Sequence, residues 1–228
     1  MRYIITIAIC LFVLTGFAQQ ITYKEFQEAA SSEINLRPEY GNVIKDKDYI
    51  EEDQKFIDIV LKQDITHRKG SEHMVQLGFK YLYSGDLKTA MRRFNQAWLL
   101  DPKNENAYWG FGAVYGYFND YKAAIIQYDK GLAINPNSSV ILTDKATLHF
   151  VLFQQDADHI KLDTAIDLLK RSYAIDPENT NTTFKLSICY FLNNDCTNAW
   201  KFYDVCKQQG GQPITAEYTE ALKKLCNK

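Results

Sequence analysis

Between Ser71 and Ser138, large apolar, small and helix-breaking residues follow one pattern twice, and the second copy begins 34 residues after the first. The large residues recur three or four positions apart, so each set lies on one face of a helix. They are Met74, Leu77, Tyr81 and Phe94 in the first copy and Tyr108, Phe111, Tyr115 and Tyr128 in the second. A repeat of this length is typical of successive helix–turn–helix units, and the pattern predicts two of them here.

Small residues and helix breakers also stand at matching positions of the two copies. The small residues mark points where two helices cross closely, because a larger side chain would hold the backbones apart. These positions are Gly78 and Gly112, Ala90 and Ala124, and Ala97 and Gly131. Gly85-Asp86 and Asn119-Asp120 interrupt the apolar pattern, and each Asp can cap the helix that follows. Pro102 and Pro136 end the second helix of each copy, since proline disfavours helix in the preceding residue.

Two weaker copies follow this pair. The third spans residues 139–179 and is seven residues longer, and we place the additional residues in the turn between its helices, around residues 154–163. The fourth spans residues 180–213 and ends in Gly210, Gly211 and Pro213 instead of Asp-Pro. The L-G…Y…A…F…A…D-P pattern of the first two copies resembles the tetratricopeptide repeat family, and the resemblance covers roughly residues 71–213.

The resemblance implies an all-α fold, a right-handed α-α superhelix of about four helix–turn–helix repeats with a capping helix at each end. The repeats would span residues 71–104, 105–138, 139–179 and 180–213. Residues 49–70 are predicted to form the N-terminal capping helix and a linker. The stripe that predicts this helix consists of Ile50, Phe56, Ile57, Val60 and Leu61.

The remaining segments lie outside the repeats. Residues 214–228 are predicted to form the C-terminal capping helix, with Tyr218, Ala221, Leu222 and Leu225 on one side. Residues 19–48 carry no repeat pattern and are predicted to be partly irregular.

The first eighteen residues have the composition of a secretory signal. Arg2 precedes an apolar run over residues 4–13, and the small residues Gly16 and Ala18 follow. We therefore expect cleavage after Ala18 and export to the periplasm or the medium, with no stable membrane span in the mature chain. An uncleaved membrane anchor is the alternative, but the run is short for a span.

Charge and cysteine positions add two expectations, one about partners and one about a disulfide. The chain has 26 Lys and Arg against 28 Asp and Glu and lacks basic runs, which argues against a nucleic-acid partner. The four cysteines of the mature chain all lie in the fourth repeat or its cap. Cys196 and Cys226 would lie at the same end of adjacent antiparallel helices, and we expect any disulfide to join them. Four reduced thiols remain the alternative.

No catalytic or metal-binding arrangement emerges from the spacing of polar residues. The histidines and cysteines match no metal motif, and no nucleophile has a base at a suggestive spacing. Asp156, Asp158 and Asp163 lack the glycine and closing glutamate of a calcium loop, so a solvated turn is preferred. We therefore predict a protein that is not an enzyme and has no metal site or cofactor.

A groove for a protein or peptide partner follows from the family resemblance. In that family the first helices of the repeats line the concave face, through positions 2, 5, 9 and 12 of each repeat. These four positions share one face of the helix and form the groove stripe. The candidate groove residues are Val75, Phe79, Leu82, Asn106, Trp109, Thr143, Phe150, Phe184, Ile188 and Phe191. This apolar and aromatic set suits an extended or helical peptide with hydrophobic anchors. The alternative is that residues 19–48 cover these side chains or that they pack between neighbouring helices. The Lys and Arg residues with which many relatives clamp a peptide carboxylate are missing from this set.

Two functional hypotheses result. The first is an exported interaction scaffold that binds a peptide or a partner protein in the groove. The second is a structural or carrier subunit of an envelope complex, whose groove is filled by its own N-terminal segment, residues 19–48.

Overall fold

The computed structural model describes residues 21–226, which form eleven α-helices and two short 3₁₀ segments, Ile34–Leu36 and Pro38–Asn42. The predicted signal, residues 1–18, lies outside the described residues. The helices are α1 (Tyr23–Ser32), α2 (Lys47–Asp64), α3 (His67–Tyr83), α4 (Leu87–Leu100), α5 (Glu105–Tyr117), α6 (Tyr121–Ile134), α7 (Ser139–Asp156), α8 (His159–Ile175), α9 (Thr180–Leu192), α10 (Cys196–Gln208) and α11 (Ala216–Cys226). None of these described helices is long and apolar enough to cross a membrane.

Four antiparallel helix pairs make up the body of the molecule. The pairs α3–α4, α5–α6, α7–α8 and α9–α10 each pack along their length, and successive pairs pack on one another. The result is the predicted all-α, right-handed solenoid. Each second helix begins at an aspartate whose side chain accepts a backbone N–H of the first turn, as predicted for the first two repeats. These capping residues are Asp86, Asp120, Asp158 and Asp195.

The small residues of the repeat pattern lie where the helices meet. Ala90, Ala97 and Ala124 have no exposed surface. A Cβ atom added at Gly78 would overlap the Phe94 ring, and one at Gly112 would overlap the Tyr128 ring. The close crossings predicted from the sequence are therefore present, and large aromatic side chains occupy the space that the glycines leave.

The third repeat differs from the prediction. The additional residues do not enlarge its turn, because α7 continues to Asp156 and α8 begins at His159. Both helices are longer than their counterparts α5 and α6, and only Ala157 and Asp158 connect them. No glycine or proline interrupts this stretch, and Ala157 ends α7 in a left-handed conformation with φ of 57°. A helix continues until a residue with a non-helical conformation ends it. The additional residues therefore lengthen α7 and α8.

Helices cover both ends of the solenoid. At the N-terminal end, α2 packs on α3 and buries Val60 next to Gly70. At the C-terminal end, α11 buries Leu222 completely and packs on Ala199 and Tyr203. Leu225, which the sequence placed on the same apolar side, is 66% exposed.

The N-terminal segment packs against the second helices of the first two repeats and also contacts both ends of α5. In α4, the Asn95 side-chain amide donates to the carbonyl oxygens of Asn35 and Arg37. Glu39 accepts a hydrogen bond from the Tyr108 hydroxyl and pairs with Lys130 of α6. At the turn between α5 and α6, the Phe26 and Tyr23 rings of α1 lie against the Phe118 ring.

This placement weighs against the second of the two hypotheses. The second helices form the side of a repeat away from the first helices that carry the candidate groove. The contacts described for residues 21–46 therefore give no support to a segment that fills the groove. Hydrogen bonds explain where the segment lies, because those of Asn95 and Glu39 hold it outside the predicted groove.

Candidate functional site

An open apolar pocket of about 250 Å³ lies between the first helices of the third and fourth repeats, α7 and α9. Three predicted groove residues, Phe150, Phe184 and Ile188, come together in its wall. Ala146 and Thr147 face the space from α7, and these short side chains leave it unfilled. The complete lining is Ala146, Thr147, Phe150, Val151, Leu169, Asn181, Phe184, Lys185, Ile188, Cys189 and Pro213.

Aromatic side chains contact one another along the predicted groove in the first two repeats. The Phe79 and Trp109 rings lie 4.1 Å apart between centroids. The indole N–H of Trp109 donates a 2.7 Å hydrogen bond to the Asp144 carboxylate of α7. Phe79 and Trp109 are thus neighbours on one surface, as the stripe predicted, but they also contact each other and the next repeat.

Three of the predicted groove residues are buried, and the prediction is wrong for them. Val75 and Leu82 are each 7% exposed and belong to the core around α3 and α4. Thr143 is 2% exposed, and its hydroxyl bonds the hydroxyls of Ser172 and Thr182. Helix α3 packs on α5 and α7 packs on α9, so a predicted groove residue at either contact is covered by the neighbouring repeat.

The last groove residues meet the C-terminal cap. The Phe184 and Phe191 rings both contact the Tyr218 ring of α11, edge to face, at centroid distances of 5.6 and 5.8 Å. Asn106, at the other end of the stripe, is partly exposed at the start of α5. The described groove stripe therefore has three parts. Some of its residues are buried, the Phe79 and Trp109 rings contact each other, and Phe150, Phe184 and Ile188 line an open pocket.

Two charged groove residues were missed by the sequence analysis, Asp144 and Lys185. Both occupy the sixth position of their repeats, one helical step from the predicted stripe. Burial raises the pKa of the Asp144 carboxyl, and the Trp109 hydrogen bond and the Lys185 charge oppose this shift. Burial lowers the pKa of Lys185, which the Asp144 charge partly offsets. The available signal was helical periodicity, because a residue at position 6 shares a face with positions 2 and 9.

The cysteines divide into a bonded pair and two buried thiols. The structure joins Cys196, the first residue of α10, to Cys226, the last residue of α11, with their Cα atoms 5.3 Å apart. This is the pair expected from the sequence. Cys189 and Cys206 are free and buried. Burial raises the pKa of Cys189 to about 12 and also raises that of Cys206.

Asp156 and Asp158, two of the three aspartates considered for a calcium loop, make contacts at the ends of α7 and α8. The Asp158 carboxylate caps α8, and Asp156 pairs with Lys161. Within residues 21–226, no cluster of three or more His, Cys, Asp or Glu side chains could hold a metal ion.

Comparisons with known proteins identify the fold. No protein-family model matches the chain, and no curated protein matches its sequence. TTC0263, a thermophilic TPR protein of Thermus thermophilus, is similar in structure, with a TM-score of 0.55 and 17% identity over 68% of this chain and 80% of that chain. MamA of Desulfovibrio magneticus RS-1, residues 41 to the end, has a TM-score of 0.53 and 15% identity over 68% of this chain and 82% of that chain.

At such low identity these likenesses show the fold alone. The chain has the architecture of a tetratricopeptide-repeat solenoid, the helical fold that the repeated pattern predicted.

Proposed function

We propose that this protein is an exported interaction scaffold that binds a peptide or a peptide segment of a partner protein. The observation that carries the proposal is the open apolar pocket between α7 and α9. It lies on the predicted concave face and contains Phe150, Phe184 and Ile188, three residues that the stripe selects from the sequence alone.

The dimensions and chemistry of the pocket define the ligand class. A space of about 250 Å³ with apolar walls accommodates one bulky aliphatic or aromatic side chain. Burying such a side chain contributes roughly 1.5–3 kcal/mol, so an extended peptide would need further contacts along the groove. The Asn181 amide, at the pocket, can donate to or accept from a peptide backbone.

Export is part of the proposal. The supporting features are the signal-like residues 1–18 and the Cys196–Cys226 disulfide, since disulfides persist mainly in oxidising compartments. Intact-mass analysis of the exported protein should show a chain that begins at Gln19. A mass that includes residues 1–18 would contradict cleavage after Ala18.

The proposed role is binding, with no catalytic step. A displayed random-peptide library, selected against residues 19–228, provides the test. We expect enrichment of peptides that share one bulky apolar residue. Selection that yields no shared apolar position would contradict the proposal.

A matched pair of variants assigns the binding to the pocket. Ile188→Lys places a charge in the pocket wall and should weaken binding of a selected peptide by about tenfold or more. Ile126→Lys makes the same change on α6, where the isoleucine is exposed outside the pocket, and should leave the affinity unchanged. Equal losses in the two variants would show that the selected peptides bind elsewhere.

A further inference from the structure

The C-terminal cap, residues 213–226, forms part of the pocket. Pro213 lines the pocket directly. The Tyr218 ring lies against Phe184, which forms the α9 side of the same pocket. The Tyr218 hydroxyl also bonds the Ser187 hydroxyl at 2.6 Å, and Ser187 in turn donates to the Ala199 carbonyl oxygen. The position of the α9 wall is therefore coupled to the position of the cap.

The noncovalent contacts of α11 lie in its first two turns, where Tyr218 and Leu222 pack on the fourth repeat and Thr219 bonds the Tyr203 hydroxyl. Helix α11 has eleven residues, and Leu222 is its one buried residue among those described. A helix this short is marginal in water without tertiary support. Lys223, Lys224 and Leu225, in the last turn, are exposed. The disulfide at Cys226 therefore provides the attachment of the end of the helix.

A reductant can reach this disulfide. Cys196 and Cys226 are partly exposed and line a shallow depression of about 270 Å³ beside Phe191, Leu192 and Leu225. The other two cysteines, Cys189 and Cys206, are buried and hold unreactive thiols. Reduction would therefore act at one defined place, because the other two described cysteines are already thiols and are buried away from exchange with this disulfide.

We propose that the Cys196–Cys226 disulfide is a redox switch for the pocket: its reduction releases α11 and frees the α9 wall. This inference rests on the proposed function in so far as it concerns ligand affinity. A dithiol reductant supplies the electrons. Its thiolate attacks one sulfur, a mixed disulfide forms, and the second thiol of the reductant displaces the protein thiolate. The products are two cysteine thiols on the protein and the oxidised, cyclic disulfide of the reductant.

Release of α11 changes the pocket through two contacts. Phe184 loses the edge-to-face contact with Tyr218 and gains freedom to rotate. Pro213, which precedes α11, loses the constraint that the seated helix places on its loop. A pocket with mobile walls must be ordered again by the ligand, so its affinity falls.

Hydrogen exchange measured by mass spectrometry tests the switch without any ligand. Reduction of the full mature protein with dithiothreitol should speed amide exchange in residues 216–226 by about tenfold or more and also raise it in α9. Exchange in α3 and α4, far along the chain from the cap, should stay unchanged. Unchanged exchange in α11 or α9 after complete reduction would overturn the proposal.

A double variant controls for other effects of the reductant. Cys196→Ser with Cys226→Ser should show the fast exchange already without dithiothreitol and should not respond to it. Circular dichroism verifies that the variant is folded, and reduction of the unmodified protein gives the same comparison if it is not. A response of the double variant equal to that of the parent protein would assign the effect to another site.

Peptide affinity separates this inference from the proposed function. A peptide selected against the oxidised protein should bind about fivefold or more weakly after reduction and regain its affinity on reoxidation. Faster exchange with unchanged affinity would overturn the coupling to the pocket. Failure to select any peptide would contradict the proposed function, whereas the exchange experiment would still decide whether the disulfide controls α9.

Discussion

The indole N–H of Trp109 donates a 2.7 Å hydrogen bond to the carboxylate of Asp144, which joins α5 to α7 on the predicted groove face. The same indole packs against Phe79 of α3. Trp109 thus connects the first helices of three successive repeats. Its position in the stripe predicted a residue that faces a ligand, and the structure shows a residue whose polar end is already used within the protein.

Substitution of Trp109 by phenylalanine should therefore cost stability. Burial already raises the pKa of the Asp144 carboxyl, and loss of the indole donor leaves this carboxylate without that partner. We expect Trp109→Phe to lower the free energy of unfolding by about 1–3 kcal/mol, measured by urea denaturation. Tyr117→Phe, an aromatic change at an exposed position of the same helix, serves as the control. Equal stability of the two variants would show that the hydrogen bond contributes nothing.

The Cys196–Cys226 disulfide should stabilise the oxidised protein. The two cysteines are 30 residues apart in the sequence, and disulfides that close loops of this size contribute about 2–4 kcal/mol. Cys226→Ser should therefore lower the melting temperature under non-reducing conditions and leave it unaffected by added reductant. Peptide mapping without reduction should recover Cys196 linked to Cys226. A Cys189–Cys206 linkage would contradict the assignment.

His149 should make the protein more sensitive to acid. Burial first, and then the Lys145 and Lys161 charges, lower the pKa of His149, while Asp129 opposes them. The folded state therefore disfavours the proton, whereas the unfolded chain takes it up near the ordinary histidine pKa of about 6.5. Stability linked to His149 is complete above that pH and is lost as the pH falls from there through the folded-state pKa.

The His149→Gln variant isolates this contribution. We expect it to match the parent protein in urea denaturation at about pH 8 and to lose less stability on acidification towards about pH 5. The other histidines are retained in both proteins, so their titration cancels in the comparison. Parallel losses in the two proteins would show that His149 does not determine the acid response.

The row of small residues should tolerate no large side chain. Ala124 has no exposed surface at the crossing of α5 and α6. Ala124→Leu should destabilise the protein by about 1–3 kcal/mol, because overpacking displaces neighbouring helices. Ala133→Leu makes the same change at an exposed position of α6 and should leave the melting temperature nearly unchanged. An unchanged melting temperature for Ala124→Leu would contradict the repeat register.

Local patterns explain why so much of the fold was predictable. The helix pairs could be predicted because the residues that define them lie close together in the sequence. Examples are the capping residues Asp86 and Asp120 and the small residue Ala124. The third repeat was predicted less well, because the sequence shows that seven residues are added but no breaker shows where. Only the left-handed conformation of Ala157 places the turn.

The site was less predictable because it depends on contacts between repeats. A helical stripe identifies a face, but whether Thr143 is exposed depends on how closely α9 packs on α7. The pocket beside Phe184 exists because Ala146 and Thr147 are short, and a contact pattern within one repeat does not contain that information. The same reason applies to Asp144 and Lys185. They belong to different repeats, and the charge of each one shifts the pKa of the other.

Filling the pocket should separate binding from stability. Thr147 lines the pocket from α7 and is partly exposed, so a larger side chain has space to enter. Thr147→Phe should place its ring between Phe150 and Ile188 and weaken binding of a selected peptide by about tenfold or more. The cost to the fold should be small, because the ring enters an open space and the replaced β-branched threonine is itself not a strong helix former.

Melting temperature and titration calorimetry, measured on the same preparation, decide this prediction. Thr147→Phe should melt within a few degrees of the parent protein, in contrast to Ala124→Leu, which adds bulk where no space exists. Intact binding by a folded Thr147→Phe variant would show that the peptide does not use the pocket. A large drop in its melting temperature would show instead that the space between α7 and α9 is closed in solution, since only a filled space resists an added ring.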